Sequence, residues 1–274
     1  GLIATQKVMA DSVYISKNLD GNQLQFMKLL EAYEILYFNM HTIEEDVNQT
    51  FENLNEILEN LVDKELLYRI ERGKYALNNY TNINALATFI SSNSAVAYWS
   101  ALHYHGLTER FPNTIFIKTT QRKRDTEILG TTVKFVSVKD SKNIGVIEEG
   151  YGDHSFKLTD VEMTLVDCFD QPRYAGDFAD VIKAFANAKL TNNKLMEYTK
   201  AYNHIAVTKR LGFLAELFHA NGLQPFIKYA KTQVNKRYSL LDAGGLQQGE
   251  FVNEWKLRLN VSKEQLLNMA QTEY

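Results

Sequence analysis

Four cations crowd a stretch of seven residues, Lys118, Arg122, Lys123 and Arg124 within Lys118–Arg124, enough to hold a phosphate or a partner's acidic surface. Asp242, Glu254 and Lys256 form a D…E-x-K arrangement, in which two carboxylates hold Mg²⁺ and a lysine positions water. With many Glu and Lys in the chain, one E-x-K is expected by chance. On a strand, Glu254 and Lys256 would share a face and pair with each other. His103 and His105 are two apart, on different faces of a helix, and no third ligand accompanies them, so no metal site is expected. Cys168, the single cysteine, falls on an apolar helix face and reads as an inert buried thiol. No phosphate-binding loop or glycine fingerprint occurs, so no cofactor is implied and no enzyme is expected.

A different set of residues suits base reading. Asn48, Gln49 and Thr50 can hydrogen-bond base edges, and Arg69, Arg72 and Lys74 can contact phosphates. Positioning them requires particular elements. Leu24, Met27, Leu30 and the Tyr33/Leu36/Tyr37 cluster predict a helix over 22–38. Thr42 is the expected N-cap of a short second helix with acids in its first turn. Phe51, Leu54, Leu58 and Leu61 predict a third helix over 49–63, with Asn48–Thr50 at its start. Two β-prone runs, Leu66–Ile70 and Lys74–Leu77, surround a turn at Glu71-Arg72-Gly73. Three helices and a hairpin make the winged helix-turn-helix pattern. One feature opposes DNA contact. Glu52, Glu56, Glu59 and Asp63 form a single stripe nearly opposite the apolar one, on the face such a module turns to the duplex. Residues 22–80 hold five basic residues against eleven acidic ones, so the chain's net charge of −3 is concentrated there.

The rest of the chain reads as mixed. Asn78–Asn84 is a polar connector. A helical stretch over 85–106 ends at Gly106, and strand-like runs follow at 114–117, 132–136, 145–147 and 155–158. Thr159-Asp160-Val161-Glu162 is a capping box before an apolar helix. Helices are expected near 177–188, 191–201, 204–220 and 224–235, with a late strand over 252–261 and a last helix over 263–271. The fold class is therefore α+β (mixed): an N-terminal arm (1–21), a winged helix-turn-helix (22–80), and a larger α/β domain (81–274) with a helical C-terminal part and a subdivision near 190. Forty-five per cent hydrophobic residues suffice for globular cores. One cysteine, no signal-peptide pattern and no long apolar run point to the cytoplasm and away from membranes. The first residue is Gly, which leaves the native N-terminus open.

Four ordered stretches resemble the AbiEi family of antitoxins from type IV abortive-infection toxin–antitoxin systems. They are Leu67-Tyr68-Arg69-Ile70-Glu71-Arg72-Gly73-Lys74-Tyr75, Ser100-Ala101-Leu102 with Gly106-Leu107, Leu158-Thr159-Asp160-Val161-Glu162-Met163-Thr164-Leu165-Val166-Asp167, and Arg210-Leu211-Gly212-Phe213-Leu214-Ala215-Glu216. The resemblance implies autorepression through promoter DNA and neutralisation of a nucleotidyltransferase-like toxin encoded next door. The third helix departs from it, being acidic where family members carry basic and small polar residues, so DNA binding is expected to be weak and salt-sensitive. The alternatives are a transcription factor without a toxin partner and a Mg²⁺-dependent nuclease.

Overall fold

The computed structural model describes residues 18–271, so the arm assigned to residues 1–21 falls mostly outside the described residues. The chain is mixed α and β and divides into two compact units. The first comprises the residues up to Leu86 together with Tyr151–His154, and the second comprises Ala87–Gly150 and the residues from Ser155.

In the first unit, α1 (Gly21–Ala32) starts at Asp20, whose carboxylate accepts from Gln23 N (2.8 Å). It is shorter than the 22–38 expected. Glu34 takes φ +55°, and Tyr37–Asn39 becomes strand β1, because Tyr37 and Phe38 pair across to Ala76 and Tyr75. After α2 (Ile43–Asp46) comes α3 (Leu54–Asp63), then β2 (Leu67–Glu71) and β3 (Lys74–Leu77). The three strands are antiparallel in the order β1-β3-β2. Gly73 supplies the positive φ (+78°) of the hairpin turn. Thr42 precedes α2 but caps nothing; its hydroxyl bonds Asn39 O instead. The helix expected from residue 49 begins only at Leu54. Asn48 and Asn53 both sit in the left-handed region, and Glu44 Oε2 accepts from Phe51 N (2.8 Å), which fixes the segment as a turn. Phe26 anchors the core edge-on against Phe38 and Phe51, with Leu30, Leu58 and Leu61 around it. Tyr151–His154 join this unit: Asp153 Oδ2 accepts from Leu36 N (2.9 Å), and Tyr80 OH donates to Asp153 O (2.5 Å).

Helix α4 (Ile83–Phe89) carries the chain across the boundary at Leu86. The second unit is built on a six-stranded mixed sheet of β4 (Ser94–Val96), β5 (Thr114–Thr119), β6 (Thr126–Ile128), β7 (Thr131–Ser137), β8 (Val146–Glu149) and β9 (Phe156–Thr159), in the order β6-β7-β5-β4-β9-β8. β5/β7 and β4/β9 are parallel and the other pairs antiparallel. The stretch from Ser94, expected as helix, is split. Ser94–Val96 are buried between β5 and β9, and helix α5 (Tyr98–Tyr104) starts only after them. Gly106 (φ +71°) ends α5 as expected, with Gly106 N bonded to His103 O and Leu107 N to Leu102 O, a Schellman pair.

Helices α6 (Val161–Asp170), α7 (Phe178–Asn187), α8 (Asn192–Tyr202), α9 (Ile205–Leu217) and α10 (Gln224–Thr232) follow close to their expected bounds. The N-cap of α6 is Asp160, whose carboxylate accepts from Met163 N (2.8 Å). Thr159, the expected cap, bonds Thr164 Oγ1 instead (2.7 Å). A small sheet of β10 (Ser239–Leu240), β11 (Glu250–Val252) and β12 (Leu257–Leu259), ordered β10-β12-β11, precedes α11 (Lys263–Gln271). The single strand expected over 252–261 is thus two strands of a hairpin, and residues 253–256 form its turn. One core runs from Leu102 to Leu266, so the helices before and after residue 190 share it. No helix among the described residues is long and apolar enough to cross a membrane.

Candidate functional site

The proposed base-reading residues lie in the first unit. Asn48 and Thr50 are exposed in the turn ahead of α3, and Gln49 is half-buried, its Oε1 accepting from Gln25 Nε2 (3.2 Å). They precede the helix rather than open it. In the hairpin, Arg69 and Arg72 are exposed, whereas Lys74 is half-buried and paired with Glu71 (3.2 Å). Two exposed guanidinium groups therefore remain beside a partly neutralised lysine. The α3 residues Leu54, Ile57, Leu58 and Leu61 are buried, and Glu56, Glu59 and Asp63 are exposed on the opposite side; Glu52 sits exposed in the turn before. A phosphate approaching α3 meets carboxylates first.

In the second unit the expected basic cluster separates. Arg122 and Arg124 are exposed in the loop between β5 and β6, and Lys123 lies over the Phe135 ring (5.6 Å). Lys118 is no surface cation. It lies at the end of β5 that is buried on both faces, where it is 0% exposed and pairs with Asp167 (2.8 Å) and Tyr202 OH (3.0 Å). Tyr202 OH itself donates to Asp167 Oδ1, and Lys142 O lies 3.3 Å from the same hydroxyl. Lys142 in turn pairs with Asp170 (2.8 Å), which also takes His204 Nδ1 (2.9 Å). Burial raises the Asp167 carboxyl above its ordinary pKa against the opposing pull of Lys118 and Tyr202. Burial works the same way on Asp170, but its bonds to His204 and Lys142 outweigh it and lower that carboxyl. Tyr98 completes the cluster. It opens α5 with φ +53°, fully buried, and its hydroxyl has no hydrogen-bond partner among the described residues; burial and the nearby Asp167 raise its pKa. Lys118 and Asp167 leave no face for a substrate, so the arrangement acts as an internal clamp joining β5, α6 and α8.

The other candidate residues have separate partners. Glu254 pairs with Lys231 (2.8 Å), Lys256 Nζ bonds Asn253 Oδ1 (2.5 Å) and lies over Tyr238, and Asp242 Oδ1 accepts from Gly244 N (3.1 Å). His105 Nε2 bonds Thr159 O (2.7 Å), while His103 stacks near Phe111. No group of three or more His, Cys, Asp or Glu that could hold a metal ion is found among the described residues.

The ordered sequence elements resolve into scaffold contacts. Ser100 Oγ accepts from Phe116 N (2.9 Å), tying α5 to β5. In the last element, Arg210 Nε donates to Leu240 O (2.9 Å), Gly212 lies against Ala230 and the Trp255 ring, and Glu216 Oε1 accepts from Trp255 Nε1 (3.0 Å). Lys209 Nζ donates to Asn235 Oδ1, Arg237 O and Lys256 O. Two adjacent cations within an otherwise apolar helix were the available signal that α9 holds the following segment through its side chains.

No protein-family model matches the chain, and no curated protein matches it. Among solved structures it is similar to the crystal structure of the Rv2827c protein from Mycobacterium tuberculosis, with a TM-score of 0.61, 12% identity, and coverage of 89% of this chain and 92% of that chain. At that identity the likeness is one of fold.

Proposed function

We propose that this chain is an antitoxin-like regulator, whose first unit is a winged helix-turn-helix that touches promoter DNA weakly and whose residues 81–274 neutralise a nucleotidyltransferase-like toxin. The observation that carries the DNA-binding half is the order of the first unit: helix, strand, two helices and a hairpin, with strand order β1-β3-β2 and Arg69 and Arg72 exposed on the hairpin. The neutralising half rests on the resemblance of four ordered elements to AbiEi antitoxins. The exposed carboxylates of α3 oppose close approach to a duplex, so the DNA contact is weak, and because it rests on Arg69 and Arg72 meeting phosphates it falls with salt. Asn48, Gln49 and Thr50 act from the turn before α3, and Arg122, Lys123 and Arg124 are the remaining candidates for an acidic partner surface.

Two experiments on the full chain test the reading. Co-expression with a nucleotidyltransferase-like gene encoded beside it is expected to restore growth; continued arrest ends the antitoxin reading. Gel shifts on its own promoter are expected to show a salt-sensitive complex that Arg72→Ala weakens. A shift without rescue identifies a transcription factor with no toxin partner.

A further inference from the structure

A cavity of about 410 Å³ lies in the second unit, where the end of α6, the start of α7, the middle of α9 and the loop after β10 meet. Phe169, Phe178, Val181 and Leu241 make its apolar walls, and Arg173, Asp177, Arg210 and Asp242 are the charged residues on its lining. Arg210 is only 7% exposed. Its Nε is spent on Leu240 O (2.9 Å), but neither terminal nitrogen has a hydrogen-bond partner among the described residues, although the side chain lines the cavity. Asp242 attracts the guanidinium without forming an ion pair with it, and Asp242 Oδ1 is already taken by Gly244 N. Burial pulls the Arg210 pKa below its ordinary value and Asp242 works against that pull, but a guanidinium stays protonated in a protein.

A largely buried guanidinium whose fork makes no hydrogen bond, and which Asp242 reaches only from beyond ion-pair distance, gains from an anion that completes it. The fork fits carboxylate or phosphate through two parallel N–H···O bonds. The Asp177 carboxylate, also on the lining, is paired with Arg110 (2.7 Å). The volume matches a small ligand, and the walls match an apolar body on it.

We propose that this cavity binds a small organic anion, a carboxylate or phosphate monoester on an aromatic or aliphatic body, with Arg210 gripping the anionic end and Phe169, Phe178 and Leu241 covering the rest. Phenylacetate and phenyl phosphate are the two probes, titrated into the full chain by calorimetry and thermal melting, with inorganic phosphate and 2-phenylethanol as controls. At least one probe is expected to bind with a Kd below about 1 mM and to raise the melting temperature. The tighter of the two identifies the anionic group. Arg210→Lys, which keeps the charge and loses the fork, is expected to weaken binding at least about tenfold. Gly244→Trp adds an indole at the cavity lining and leaves the Arg210 side chain unaltered: an added Cβ there meets only Asp242 Oδ1, at 3.7 Å. It is expected to abolish binding, and it decides the matter if Arg210→Lys does not fold. The proposal is overturned if neither probe binds, if binding survives Gly244→Trp, or if 2-phenylethanol or inorganic phosphate binds as tightly as the probes.

Discussion

Gly212→Ala is expected to destabilise the second unit although alanine is the better helix former. The added Cβ would lie 2.6 Å from Ala230 Cβ, 2.6 Å from Trp255 Cζ3 and 2.7 Å from Trp255 Cη2, short of the ordinary 3.4 Å contact by about 0.8 Å. Neither neighbour yields readily. Ala230 has no side-chain freedom, and the Trp255 ring is buried with its Nε1 bonded to Glu216 (3.0 Å). Overpacking of this kind costs about 1–3 kcal/mol. If the ring swings away, a hydrogen bond to a carboxylate goes with it, about 1.5–3 kcal/mol. Against this stands a helix-propensity gain of about 1 kcal/mol. The net loss is about 0–2 kcal/mol if the ring holds its place and about 1.5–5 kcal/mol if its hydrogen bond is lost as well, the latter a fall in Tm of about 3–20 °C. Thermal and urea unfolding followed by tryptophan fluorescence measure it, since both Trp99 and Trp255 belong to the second unit. Combining Gly212→Ala with Trp255→Leu should cost less than the two separate effects added together. A Gly212→Ala protein that melts at or above the parent temperature would refute the close-approach argument.

Lys118→Met should cost about 3–5 kcal/mol in urea denaturation, because it strands Asp167 in the interior without its cation; adding Asp167→Leu should recover part of that loss. Asp170 has a lowered carboxyl pKa in the folded state, so it stabilises the fold above the unfolded carboxylate range near 4 and that contribution is lost as pH falls through the folded value. Asp170→Asn should therefore reduce stability at pH 7 by about 1–3 kcal/mol and flatten the acid limb of the stability–pH curve; an unchanged limb counts against its ion pairs. Replacing Glu56, Glu59 and Asp63 by Gln, Gln and Asn should tighten promoter binding in gel shifts if α3 faces the duplex, and leave it unchanged if it does not.

Helix α3 was legible because its apolar spacing coincides with what is buried, Leu54, Leu58 and Leu61, whereas on α6 burial extends past Leu165, Cys168 and Phe169 to Glu162, Thr164 and Asp167. Gly106 and Gly73 announced their turns by chemistry that only glycine supplies cheaply. The misread segments were decided by distant partners. Ser94–Val96 and Tyr37–Asn39 carry helix-compatible spacing, yet each lies beside a strand that claims its backbone hydrogen bonds. Lys118 looked like one of four surface cations because nothing nearby in sequence reveals Asp167 and Tyr202, which reach it from α6 and α8. The cavity around Arg210 was invisible for the same reason, since its walls come from four segments between Cys168 and Gly244.

The four residues Tyr151–His154 have a practical corollary. The backbone passes between the two units three times, at Leu86–Ala87, Gly150–Tyr151 and His154–Ser155, so the first unit is not an appendage on a single tether. A protease cut in the Asn78–Asn84 connector would fall inside the first unit, ahead of the first crossing, while Leu36 would still hold Asp153 by a hydrogen bond. A fragment beginning at residue 81 would carry Tyr151–His154 without Leu36 or Tyr80. Dissection of this protein is therefore better done with point substitutions in the intact chain than by truncation, and a nicked sample can co-purify as though whole.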